Sequence, residues 1–149
     1  FERSGIGGGR DMSGQARELA ELAKSIRVNG HTAWEESDVR QKIGGFVCEA
    51  AALRYTGLRQ LTRRLKGLPP GPEGSVLKLA ASELNVRMNK FAMELLGPYS
   101  QMEFKAPFSV DKGKWSYRML ASRALTIAGG TSEIQHNIIG ERVLGLPKG

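Results

Sequence analysis

The residues best suited to chemistry in this chain are two glycines followed by Thr-Ser-Glu, in the stretch Leu125 to Pro147, LTIAGGTSEIQHNIIGERVLGLP. Before the glycines, Met119, Leu120 and Leu125 mark an apolar helical face. After them, Ile134, Ile138, Ile139 and Val143 recur at helical spacing. Gly129 and Gly130 end one helix and let another begin. Thr131 and Ser132 suit an N-cap, and Ser132 with Gln135 fits an S-x-x-Q capping box. Backbone amides at such a start carry partial positive charge and attract an anion, while two residues without Cβ let a flat or bulky ligand come close. The same spacing also describes a plain corner between helices.

Other chemistries find little support. His31 and His136 stand apart, and no group of His, Cys, Asp and Glu has metal-ligand spacing, so no metal is expected. No local Ser-His-Asp signature or phosphate-binding loop is present, and the glycines at Gly5, Gly7, Gly8 and Gly9 follow no predicted strand.

Periodicity predicts the elements that would position the corner. Ala16, Leu19, Leu22, Ala23 and Ile26 give a first helix over 15–26. Residues 28–37, with Asn29-Gly30, read as a loop. Asp38 with Gln41 fits the start of a long second helix, whose face runs through Val39, Ile43, Phe46, Val47, Ala50, Leu53, Leu58, Leu61 and Leu65. Gly67 and the cluster from Pro69 to Pro72 stop it. Ser75 can cap a third helix carrying Leu77, Ala80, Leu84, Met88, Phe91 and Leu95, which Gly97-Pro98 ends. After turn-rich residues 99–114, helices over about 115–128 and 132–144 complete the pattern. Apolar stripes joined by short connections imply an all-α antiparallel bundle of four main helices and a short C-terminal one, because each stripe must be buried against its neighbours.

Composition sets the bounds. With 149 residues, 40% apolar and 25% charged, the chain suits a single globular domain, residues 1–149. No apolar run approaches the roughly 20 residues that span a bilayer. The single cysteine, Cys48, lies in an apolar helical stretch and reads as inert core. Lysine and arginine total 22 against 15 acidic residues, a net charge of +7, but only RQLTRRLK, Arg59 to Lys66, is locally concentrated. No aromatic side chains interleave with it as stacking platforms, so nucleic acid is not the expected partner.

The run SRALTIAGGTSEIQHNIIGERVLGLP resembles the C-terminal signature of the acyl-CoA dehydrogenase family. FERSGIGGG, DVRQKIGGFVCEAAALRYTGLR, PEGSVLKLAASEL and ELLGP resemble that family as well, so the likeness covers nearly the whole chain. It implies the C-terminal helical domain of a longer polypeptide whose N-terminal helical and middle β domains are not in this sequence. The implied activity is flavin-dependent formation of an α,β double bond in an acyl-CoA thioester, with FAD as cofactor and electron-transfer flavoprotein as electron acceptor. The resemblance further implies a homo- or hetero-oligomer, in the cytoplasm of a bacterium or the mitochondrial matrix of a eukaryote.

Residue roles follow from the same resemblance. Many relatives carry the catalytic base just before the Gly-Thr of the final turn, where this chain has Gly129. Others take it from an E-R pair at the start of the domain, matched here by Glu2 and Arg3, with Arg3 orienting the base. Thr131 and Glu133 fall at flavin contacts, and Gly129 and Gly130 lie beside the thioester. Glu94 to Pro98 stands where relatives have Q-x-x-G-G, so Glu94 and Gly97 would meet the dinucleotide of a neighbouring subunit. Residues 27–34, RVNGHTAW, depart from the R-x-x-F-G segment that grips the flavin pyrophosphate. An empty base position at Gly129 also suits a non-catalytic partner subunit of a mixed assembly.

Overall fold

The computed structural model describes residues 12–69 and 71–148. Glu2 and Arg3 lie outside the described residues. Five helices carry the chain: α1 (Met12–Ser25), α2 (Ser37–Leu65), α3 (Glu73–Leu96), α4 (Lys114–Ile127) and α5 (Ser132–Ile138). The all-α expectation holds, and α3 is the hub, packed against α1, α2, α4 and α5.

Three ion pairs fix the direction of α3 against α2. Lys42 meets Glu94, Arg87 meets Glu49 and Arg63 meets Glu73, so partners climb one helix as they descend the other. These are exposed or half-exposed pairs and contribute little energy, but they record antiparallel register. Burial supplies the stability: Ala16, Leu19, Leu22 and Ala23 of α1, Ile43, Phe46 and Ala50 of α2, Leu84, Met88 and Phe91 of α3, and Trp115 of α4 form one core cluster. The rings of Phe46 and Phe91 meet at 5.9 Å, tilted by 59°.

A second stripe on α3 is polar and buried. Lys78, Ser82, Asn85 and Asn89 recur at helical spacing. Gln15 of α1 donates to Asn89 Oδ1 at 3.1 Å, Asn85 Nδ2 donates to Gln15 Oε1 at 3.0 Å, and Asn89 Nδ2 donates to the Asn85 carbonyl at 2.8 Å. Each buried amide is thereby partnered, which desolvation requires. Asn89→Leu leaves the Gln15 and Asn85 side chains short of partners and is expected to cost about 1–3 kcal/mol. Chemical denaturation checks this, and the double replacement with Gln15→Leu should cost less than the sum of the two single changes.

Several expectations are corrected. Residues 28–37 are not simply a loop: Arg27–Val28 (β1) and His31–Thr32 (β2) pair antiparallel, with Arg27 opposite Thr32 and Val28 opposite His31. Asn29 and Gly30 both take positive φ, 51° and 91°, the turn that suits a two-residue hairpin. Thr32 and Glu35 then form a capping box at the 3₁₀ turn Ala33–Glu35. Glu36, not Asp38, stands at the cap of α2, and Pro72, not Ser75, at that of α3.

The second half of α2 does not continue the buried stripe. Val47, Leu58 and Leu61 are exposed, and Leu65 is 79% exposed. The cause is length: 29 residues reach roughly 43 Å, whereas the 14 residues of α1 reach about 21 Å and cannot cover it. Cys48, expected in the core, is exposed on the same helix. Leu120 of α4, also read as part of an apolar face, is 77% exposed. The last helix breaks early as well: after Ile138 a π turn spans Ile139–Val143, including Gly140, where helix propensity is low.

Candidate functional site at the glycine corner

Between α4 and α5 the chain turns through Gly129 at φ 70° and Gly130 at φ 100°. A Cβ on Gly130 would sit 2.8 Å from Gln135 Nε2 and 3.3 Å from Ile134 Cγ2, so a larger side chain would have to displace the Gln135 amide and adopt a backbone angle that L residues rarely take. The corner is held from behind by buried donors. Lys78 Nζ of α3 donates to the Gly130 carbonyl at 2.5 Å, and Gln135 Nε2 donates to the Gly129 carbonyl at 2.8 Å and more weakly to Gly130 at 3.4 Å. One turn further along α3, Glu83 accepts from the Ser132 hydroxyl at 2.6 Å. α3 therefore grips both sides of the turn.

Of the two expected cap residues Thr131 is the N-cap, its hydroxyl oxygen accepting from the Ile134 amide at 3.4 Å, whereas the S-x-x-Q box does not form. Ser132 is diverted to Glu83, and Gln135 reaches back to the glycine carbonyls instead of closing a capping box. Glu133 is exposed; the Thr131 hydroxyl, then the helix-start amide, hold its carboxyl below the usual range. Lys78 is buried, and loss of hydration lowers its ammonium pKa, with the nearby Glu83 charge opposing the shift.

Of the residues singled out from sequence, Gly129, Gly130, Thr131 and Glu133 form one continuous edge. Glu94 and Gly97 belong elsewhere, at the opposite end of α3, roughly 24 Å from Lys78 by helical rise. There Gly97 caps the helix at φ 54°, and the exposed Glu94 pairs with Lys42 at 3.0 Å. The Lys42 ammonium lies 4.6 Å from the centre of the Phe91 ring. That end opens on a cleft of about 410 Å³ lined by Lys42, Arg87, Lys90, Glu49 and Glu94.

Sequence reasoning missed Lys78, Glu83 and the role of Gln135. The available signal was the polar stripe of α3, where Lys78, Ser82, Asn85 and Asn89 share one face beside the apolar one. Among the described residues no cluster of His, Cys, Asp and Glu could hold a metal ion, and no helix is long and apolar enough to cross a membrane.

The helical fold of the chain is similar to that of several solved structures. The chain superimposes on the ChsE4-ChsE5 complex of Mycobacterium tuberculosis with TM-score 0.79 and 25% identity, over 93% of this chain and 36% of that one. On butyryl-CoA dehydrogenase of Megasphaera elsdenii the TM-score is 0.71 at 20% identity, over 89% and 34% of the two chains. Residues 1–144 match the family model of the acyl-CoA dehydrogenase C-terminal domain, and the chain belongs to that family. It is 30% identical over 139 residues to acyl-CoA dehydrogenase IpdE1 of Mycobacterium tuberculosis, covering 89% of this chain and 32% of that protein. The chain thus spans about a third of the length of the curated relatives it matches.

Proposed function

We propose that the chain is the C-terminal helical domain of a longer, FAD-dependent acyl-CoA dehydrogenase that introduces an α,β double bond into an acyl-CoA thioester. The observation that carries this reading is the pinned corner: Lys78 and Gln135 hold the Gly129–Gly130 turn, and half-buried Thr131 and exposed Glu133 beside it match the positions that the resemblance assigns to flavin contacts.

The residues present fit a flavin at the corner. Glu133 offers an exposed carboxylate that accepts N–H or O–H groups, and the Thr131 hydroxyl beside it favours the ionised form. At the far end of α3, Glu94 fits phosphates poorly by its charge, and its pairing with Lys42 offsets that charge. A bound flavin would supply hydride acceptance from the β-carbon. Glu2 takes the α-proton, with Arg3 orienting its carboxylate. Closed in with an acyl chain, that carboxylate loses hydration and its pKa rises, which favours proton abstraction near neutral pH. The thioester lies beside Gly129 and Gly130 in this reading, and Lys78 and Gln135 hold that turn in place. Electron-transfer flavoprotein is the acceptor class this chemistry calls for, and an oligomer would let Glu94 and Gly97 serve a neighbouring subunit.

One observation favours a second reading, a partner subunit without a base in a mixed assembly: the position before Gly130-Thr131 is glycine. Purification of the full-length polypeptide separates the two. The dehydrogenase reading expects a yellow protein that converts acyl-CoA to its enoyl product when an electron acceptor is supplied. A colourless protein inactive on its own, but needed by a second dehydrogenase chain, supports the partner reading.

A further inference from the structure

The basic run Arg59 to Lys66 finds no role in the reading above, yet the fold folds part of it into a cleft. The end of α2, the connection to α3 and the π turn after α5 enclose about 520 Å³, lined by Gln60, Arg63, Arg64, Glu73, Ser75 and Arg142 together with backbone of the Pro-Gly connection. Three guanidinium groups line it against one carboxylate. Glu73 offsets only Arg63, at a loose 3.7 Å, which leaves an excess of positive charge from two different elements. Like charges brought together this way repel unless an anion joins them.

Two further features point the same way. Gln60 is half-buried, and its Nε2 is shielded from solvent with no hydrogen-bond partner among the described residues, a costly state for an amide donor. The 24-residue helix α3 begins at this cleft with Pro72 at its cap and no side-chain cap bond, so the positive end of its dipole faces Gly74 and Ser75 of the lining. Guanidinium forks, an orphaned amide and a helix start are all donors, and they suit the charge and the acceptor oxygens of a phosphoryl group.

We propose that this cleft, lined by Arg63, Arg64, Arg142 and Gln60 at the start of α3, is a binding site for a phosphate-bearing anion. It is separate from the glycine corner and does not rest on the flavin or thioester assignment. The ligand is a free phosphate or pyrophosphate, or the phosphoryl end of a nucleotide. Binding would draw Arg63 from Glu73 and give Gln60 the acceptor it lacks.

Equilibrium dialysis of the full-length polypeptide with radiolabelled inorganic phosphate, pyrophosphate and ADP tests this. Saturable binding is expected for at least one probe, weakened by added salt because the contacts are electrostatic. Tighter binding of ADP than of pyrophosphate assigns a nucleotide; the reverse assigns the free anion. Replacing Arg64 and Arg142 together with glutamine should weaken binding about tenfold or more, while Arg54→Gln, on α2 but outside the lining, should not. Circular dichroism confirms that the variants fold. Absence of saturable binding by the unmodified protein to all three probes, or binding indifferent to the double replacement, overturns the proposal.

Discussion

Glu2→Gln in the full-length polypeptide is expected to lower acyl-CoA turnover by about 10²–10⁴-fold, the contribution typical of a positioned general base. Glutamine keeps the size and most of the hydrogen bonding of the side chain but cannot accept the α-proton. If Glu2 acts only as base, flavin content should stay unchanged and the loss should appear in kcat more than in KM. The choice of Glu2 follows from Gly129, since the position that holds the base in many relatives here carries no side chain. Returning a carboxylate there is a sensitive companion test. Gly129 has φ 70°, so Gly129→Glu strains the backbone, and partial recovery of turnover in the Glu2→Gln background would show that the corner faces the reacting carbon. Turnover untouched by Glu2→Gln, in a protein that still holds flavin, removes Glu2 from the mechanism.

Trp115→Ala is expected to destabilise the domain by about 3–5 kcal/mol, a large part of the 5–15 kcal/mol available to a typical domain. Trp115 is wholly buried, and its indole N–H donates to Asp111 Oδ2 at 3.0 Å. Its ring is the floor on which α1 and α4 are tied: Lys114 and Arg118 lie 5.3 Å from the ring, and both reach Glu18 of α1. Burial alone would raise the Glu18 carboxyl, but hydrogen bonds and charge from Arg118 and Lys114 outweigh it and leave the carboxyl below its usual range. Alanine removes the ring, opens a cavity and leaves Asp111 without its donor. Chemical denaturation followed by circular dichroism should show the loss, and Trp115→Phe should recover much of it. A change below about 1 kcal/mol would mean that the α1–α4 contact contributes far less than its burial implies.

Helices were legible in the sequence because apolar residues at steps of three and four mark a face wherever a partner exists to cover it. The bounds of α2, α3 and α4 fall within three residues of those that periodicity predicts. What periodicity cannot report is the length of the neighbour. The stripe from Leu58 to Leu65 is as regular as the one from Ile43 to Leu53, yet it remains exposed because α1 ends first. Cys48 was misplaced for another reason: with Val47 it lies on the outward side of a helical turn whose Phe46 and Ala50 are buried. The hairpin at residues 27–32 was within reach, since Asn29-Gly30 is its characteristic turn, but two-residue strands carry no alternation to detect.

The corner was legible as a corner and as a family signature, but not as a mechanical device. Choosing Thr131 over Ser132 as cap depends on Glu83 capturing the Ser132 hydroxyl across a separation of 49 residues. Gln135 turns back to the glycines because their carbonyls offer buried acceptors close by. Lys78 could be seen only as a cation on a helix; that it ends on the Gly130 carbonyl is a tertiary fact. The pairing of Arg63 and Arg64 with Arg142 in one cleft is likewise set by the fold of the α2–α3 connection.

In the proposed function, flavin and thioester meet at the corner formed by Gly129 and Gly130. Anaerobic mixing of the full-length protein with an acyl-CoA thioester, following the yellow flavin band, tests it most directly. Bleaching is expected for the unmodified protein, and Gly130→Val, whose Cβ would fall 2.8 Å from Gln135 Nε2, should slow it by about 10²-fold while the helices stay intact. A flavin-bearing protein that bleaches equally fast with valine at that position would contradict the claim.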